Sequence, residues 1–165
     1  MFNLHTFTEQ CRQSSDQAFE NFQGVLRLLE NKSSRKEARL FLTDLINFIQ
    51  EKSGAANQVA IESFHFTFLS IDISNNKDQS ELINLLHFPS TFTPEEWSYT
   101  FFEGLSRYDT AEFQNKNLVE LGCGNGWITI AMAKKFGPRK VLGFDINPRA
   151  IICAKINLYL NVSSQ

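Results

Sequence analysis

The sequence predicts an α/β chain: a β-α-β-α unit in its second half, preceded by a helical and strand region. Two short apolar runs, 118–121 and 141–144, each lead into helical spacing, as successive strands of a parallel sheet do. Glycines at 122, 124 and 126 join the first run to its helix, and Asn147-Pro148 opens the second helix.

The elements follow in chain order. Between positions 4 and 30, Phe7, Cys11, Ala18, Phe22, Val25, Leu26 and Leu29 recur at helical spacing, with a break at Ser14-Ser15. A second helix is expected from Ser34, where Ser34-Arg35-Lys36-Glu37 fits a capping box. Ala38, Leu42, Leu45, Ile46 and Ile49 mark its apolar face, and Ser53-Gly54 ends it. The two helices read as an α-hairpin with a packing role.

From Ile61 to Ile73 the pattern alternates, as in a strand. Phe64, Phe66 and Phe68 fall on one side, and His65, Thr67, Leu69, Ile71 and Ile73 on the other. His65 reads as a structural histidine. Positions 75–80 read as a polar turn.

Thr93-Pro94-Glu95-Glu96-Trp97 marks a helix start with Thr93 as cap, Pro94 where its missing donor does no harm, and Glu96 closing a capping box. That helix is expected to reach about position 108. After a loop over 109–117 come the strand 118–121, a helix over 127–136 stopped by Gly137-Pro138, the strand 141–144, and a last helix ending near Asn161.

Length and composition set outer bounds. A chain of 165 residues, 42% of them hydrophobic, is in the range of one core-forming unit. A net charge of −2 gives no basis for tracking a nucleic-acid backbone. Sixteen phenylalanines are expected to fill the core. The three cysteines, at 11, 123 and 153, have neither disulfide nor metal-ligand spacing, which suits a reducing cytoplasmic setting. The first 13 residues lack a signal-peptide pattern, and no stretch approaches a membrane span. An assembly of identical copies is compatible with this composition.

The segment from Leu118 to Trp127 carries most of the chemical information. A dinucleotide fingerprint, G-x-G-x-x-G, would place its third glycine at position 127, which is Trp127. The turn is instead G-x-G-x-G preceded by the acidic Glu120, the form used with S-adenosylmethionine. Asp145, at the end of the next strand, is placed to accept ribose hydroxyls, with Ile146 against the adenine. The candidate cofactor residues are therefore Glu120, Gly122, Cys123, Gly124, Gly126, Asp145 and Ile146, with no metal.

At these residues the chain resembles class I S-adenosylmethionine-dependent methyltransferases. The segments Phe92-Thr-Pro-Glu-Glu-Trp through Leu105, Val119 through Ile128, Gly143-Phe-Asp-Ile-Asn-Pro-Arg-Ala150 and Ile156-Asn-Leu-Tyr-Leu-Asn161 narrow this likeness. They resemble the N-terminal portion of the methionine S-methyltransferases. That resemblance implies a Rossmann-like fold and methyl transfer to the thioether of L-methionine. It divides the chain into an N-terminal helical and strand region, 1–91, and the start of the cofactor domain, 92–165. Because members are much longer, the chain is expected to be a fragment with an incomplete sheet, inactive alone.

A thioether nucleophile carries no proton, so alignment and electrostatics suffice and no residue is assigned as a general base. Trp97, Tyr99 and Phe101 are candidates for the acceptor side, since aromatic faces favour a sulfonium. Two other readings fit the residues: a class I N-methyltransferase, or a non-catalytic interaction module built on the N-terminal helices and Phe-rich strand.

Overall fold

The computed structural model describes residues 2–53, 64–74 and 81–162. Helices α1 (Leu4–Gln13) and α2 (Ser15–Glu30) are separated at Ser14, whose extended backbone breaks the helix and whose hydroxyl caps α2 by accepting from Gln17 N at 3.1 Å. Helix α3 (Arg35–Ser53) follows a short turn. Ser34 stands just before it, but its hydroxyl donates backwards to the Leu28 carbonyl at 2.9 Å, and Arg35 Nε donates to the Leu29 carbonyl at 2.7 Å. These bonds satisfy orphan carbonyls at the end of α2. Gly54, the expected stop, lies outside the described residues, as does the expected turn over 75–80. The expected two-helix hairpin is thus three helices.

Strands β1 (Thr67–Asp72) and β2 (Leu82–His87) pair antiparallel, from Thr67 opposite His87 to Asp72 opposite Leu82. Positions 61–63 of the expected strand lie outside the described residues; from Phe64 onwards the expectation is corrected, since His65 sits at φ 56°, which breaks the extended path ahead of Thr67. The predicted division of faces nevertheless appears. Phe64, Phe66 and Phe68 meet the core of α1–α3, while Leu69, Ile71 and Ile73 meet a second core with Ile83, Leu85, Trp127 and Phe136. The hairpin lies between the two cores. Phe7, Phe22, Phe64, Phe66 and Phe88 are fully buried, and edge contacts of 5.2 Å (Phe7–Phe22), 4.9 Å (Phe22–Phe66) and 5.4 Å (Phe22–Phe88) make the aromatic excess a packing feature.

Helix α4 (Glu96–Leu105) is shorter than the expected helix from Thr93 to about 108. Its N-terminal residue contacts are made by Glu95 and Ser98: Ser98 Oγ accepts from Glu95 N at 3.1 Å and donates to the Glu95 carbonyl at 2.8 Å. Thr93 is engaged elsewhere, as described below. A 3-10 turn (Thr110–Glu112) precedes β3 (Asn117–Leu121), α5 (Trp127–Phe136), β4 (Lys140–Phe144) and α6 (Pro148–Asn161). This is the predicted β-α-β-α order, and β3 and β4 pair in parallel from Asn117 opposite Lys140 to Leu121 opposite Phe144. Gly137, in the left-handed region at φ 56°, ends α5, and Asn147 caps α6 by accepting from Arg149 N at 3.0 Å. The fold is Rossmann-like with a two-stranded parallel sheet among the described residues. Val119, Leu121 and Phe144 lie exposed on one sheet face.

Helix α6 joins the two halves of the chain. Its Cys153 and Ile156 belong to the core of α1–α3. Arg149 reaches Ser15 Oγ at 2.7 Å, pairs with Asp16, and lies over the Phe19 ring at 5.0 Å. The deeper connection is a pair of carboxamides one helical turn apart. Asn157 Oδ1 accepts from Leu86 N at 2.6 Å and its Nδ2 donates to Leu86 O at 3.1 Å. Asn161 repeats this on Asn84, at 2.9 and 2.7 Å. Residues i and i+4 of a helix rise about 6 Å, and residues i and i+2 of a strand about 6.6 Å, so the two amides match the outward-facing edge of β2. Two side chains thereby stand in for a neighbouring strand.

Candidate functional site

Three short bonds tie the turn after β3 to the end of β4, and a fourth orients Asp145. Gly122 N and Cys123 N both donate to the Phe144 carbonyl, at 2.7 and 2.9 Å. Gly124 N donates to Asp145 Oδ2 and Asn147 N to Asp145 Oδ1, each at 2.8 Å. Gly122 and Gly124 have φ of 73° and 54°, a region that L side chains rarely occupy, and a Cβ on either would meet no atom within 4 Å. Their bare backbone therefore fronts open space.

That space is a cleft of about 740 Å³ between the turn and a strap, residues 88–95, that connects β2 to α4. Gly122, Gly124, Asp145 and Ile146 line one wall, and Thr91, Phe92, Thr93 and Glu95 the other. Ile146 is 100% exposed, an apolar side chain with no protein cover. Its volume and mixed lining suit a drug-sized ligand with both apolar and hydroxyl-bearing parts. A second cavity of about 570 Å³ adjoins it at Gly122, lined by Trp97, Phe101, Glu120, Leu121 and Thr129 among others.

The predicted site residues distribute over these two spaces. Gly122, Gly124, Asp145 and Ile146 share the cleft. Glu120 lines the second cavity and accepts from the Thr129 hydroxyl; burial, with a smaller contribution from the Asp145 charge, raises its pKa against that hydrogen bond. The Cys123 side chain is buried, and burial, with the Glu120 and Asp145 charges, pushes its thiol up to about 11. Gly126 packs at α6, where an added Cβ would come 3.0 Å from the Ala154 Cβ. Trp97, 84% exposed, and Phe101 line the second cavity, whereas Tyr99 packs at a tilt on Trp127, centroids 5.3 Å apart, and lines neither.

Sequence reasoning missed β2, the strap's role and His87. The run from Ile83 to Phe88 lacks alternation because both of its faces pack against a core, so no period marks it. His87, at the end of β2, is buried beside the strap: its Nδ1 lies 3.3 Å from Thr91 Oγ1 and its Nε2 3.1 Å from Thr93 Oγ1. Burial lowers its pKa from the ordinary value of 6.5. The unfolded chain therefore takes up this proton first as pH falls. The His87 contribution to stability is complete above about pH 6.5 and is lost as pH drops from there toward the folded-state pKa. Urea unfolding from pH 7.5 to 5 is expected to show that slope, flattened in His87→Phe; equal slopes in both chains would refute it.

Comparison with known proteins finds similarity to methyltransferases. A model described as "Methyltransferase domain" matches residues 112–163. Over that stretch the chain is similar to a methyltransferase domain. Over 161 residues it is 41% identical to methionine S-methyltransferase of Arabidopsis thaliana, and over 163 residues 40% identical to that of Wollastonia biflora. Each alignment covers 96% of this chain and 15% of the relative, in the N-terminal portion of those proteins. It is also 41% identical over 81 residues to a putative protein N5-glutamine methyltransferase of Methanocaldococcus jannaschii, covering 49% of this chain and 38% of that one. No solved structure matches the chain. A methyltransferase domain implies S-adenosylmethionine as methyl donor. Among the described residues no helix is long and apolar enough to cross a membrane, and no cluster of His, Cys, Asp or Glu could hold a metal ion.

Proposed function

We propose that the cleft between the strap and the glycine turn binds S-adenosylmethionine, and that the chain contributes this half-site to methylation of the thioether of L-methionine. The observation carrying the reading is the convergence of Gly122, Gly124 and the Asp145 carboxylate on one open cleft. Each Asp145 oxygen already accepts one backbone N–H and keeps a lone pair for a ribose hydroxyl. The bare glycine backbone admits the close approach of the donor, and Ile146 offers an apolar face to the adenine.

When bound, the donor supplies a methyl carbon already activated by a sulfonium. What this chain's residues add is alignment and surroundings. The adjoining cavity, with the aromatic faces of Trp97 and Phe101, is the proposed place for the acceptor, since a new sulfonium forms there as the old one is neutralised. No proton leaves a thioether, so a general base has no task.

Two further parts of the reading rest on sequence and packing. The chain is proposed to work in the cytoplasm, and positions 1–91 to form a scaffold on which 92–165 mount the cofactor site. A nitrogen acceptor is the rival, on the strength of the glutamine methyltransferase relative. The sulfur acceptor is favoured because the methionine relatives align over 96% of the chain, leading helices included.

Calorimetric titration with S-adenosylhomocysteine tests the cofactor reading. Asp145→Asn keeps the shape but turns an NH₂ toward a backbone donor or the ribose. It is expected to weaken binding about 10- to 100-fold, the range for one lost charge-assisted pair. Unchanged affinity in that variant would sink the assignment.

A further inference from the structure

Beyond Phe88, which is buried in the core, side-chain hydrogen bonds tie the strap to the scaffold at two points among the described residues. Asn147 Nδ2 donates to the Ser90 carbonyl at 3.2 Å, linking the strap to the cap of α6. The other point is His87, and the hydrogen-bond directions there fix its tautomer. Thr91 Oγ1 donates its one proton to the Phe88 carbonyl at 2.8 Å, so it presents lone pairs to His87 Nδ1. Nδ1 must therefore carry the ring proton. Nε2 is left bare and accepts from Thr93 Oγ1, 3.1 Å away. One neutral ring thus gives a hydrogen bond to Thr91 and takes one from Thr93, and both threonines line the cleft.

We propose that His87 is a positioning residue of the cofactor cleft: its imidazole, protonated on Nδ1, clasps Thr91 and Thr93 and so sets the distance of the strap from the glycine turn and Asp145. This rests on the cofactor reading above. The ring does not line the cleft, so it acts only through the two threonines. Thr91 and Thr93 flank Phe92, which is 90% exposed, and the clasp on either side fixes where that ring projects. The strap between β2 and α4 carries no ladder of its own among the described residues, so its position depends on such side-chain bonds.

The test uses the 165-residue chain. Long-range ¹H–¹⁵N spectra should show His87 protonated on Nδ1 and bare on Nε2 at neutral pH; the opposite tautomer would overturn the clasp. His87→Phe keeps the ring volume and removes both bonds. It should raise amide exchange over 91–95 and weaken S-adenosylhomocysteine binding about tenfold, the equivalent of one net hydrogen bond. Thr93→Val should weaken binding similarly, Thr93→Ser should restore it, and Thr93→Val should add nothing in the His87→Phe background. Additive losses would mean that Thr93 acts on the ligand without His87, which overturns the proposal. Absence of binding by the parent chain would overturn the cofactor reading, whereas unchanged exchange over 91–95 in His87→Phe would overturn the clasp alone.

Discussion

Asn157→Leu is expected to destabilise the chain by about 3–5 kcal/mol, because it strands three buried backbone groups at once. Asn157 is 0% exposed, and its carboxamide satisfies Leu86 N, Leu86 O and, through Nδ2 at 2.8 Å, the Asn125 carbonyl inside the glycine turn. Leucine keeps the heavy-atom branching but carries bulkier methyl groups, so crowding adds to the lost hydrogen bonding. Asn161→Ala is the internal comparison. That residue is half-buried, water can reach the freed Asn84 groups, and about 1–2 kcal/mol is expected. Urea denaturation of both variants measures the difference. Equal losses at the two positions would mean that burial of the Asn157 amide does not set the cost.

The second large effect is expected at Gly126→Ala, about 2–4 kcal/mol. The residue sits at φ 82°, and an added Cβ would lie 3.0 Å from Ala154 Cβ and 3.2 Å from Ala154 Cα. Backbone strain and overpacking therefore act together. Since α6 is anchored to β2 by the asparagine pair, it is poorly placed to retreat. Gly124→Ala, at φ 54° but facing open space, carries only the strain and should cost about 1–2 kcal/mol. Thermal melts of the two variants separate the contributions. A Gly126→Ala chain as stable as Gly124→Ala would show that α6 yields.

Much of the second half was legible because its signals are local. Each glycine of the turn adopts positive φ, Asn147 caps α6, and Asp145 stands at the strand end, all from residue type and spacing. The first half was harder to read. The break at Ser14 is a local capping event and was visible, but β2 carries no period, and Thr93 looked like a cap because only tertiary contact with His87 claims its hydroxyl. Asn157 and Asn161 read as ordinary helix residues. Their role depends on a strand more than seventy positions away, which no local pattern encodes. The same holds for Arg149, whose partners lie at the start of α2.

The asparagine pair also orders events in time. A ribosome delivers β2 long before α6, so until residue 161 has emerged the outward edge of β2 at Asn84 and Leu86 has no side-chain partner from α6. An unpaired edge is a template for a neighbouring nascent chain, and α6 is the helix that closes it. Arrival of α6 is therefore the moment at which the growing chain ceases to offer that edge to others.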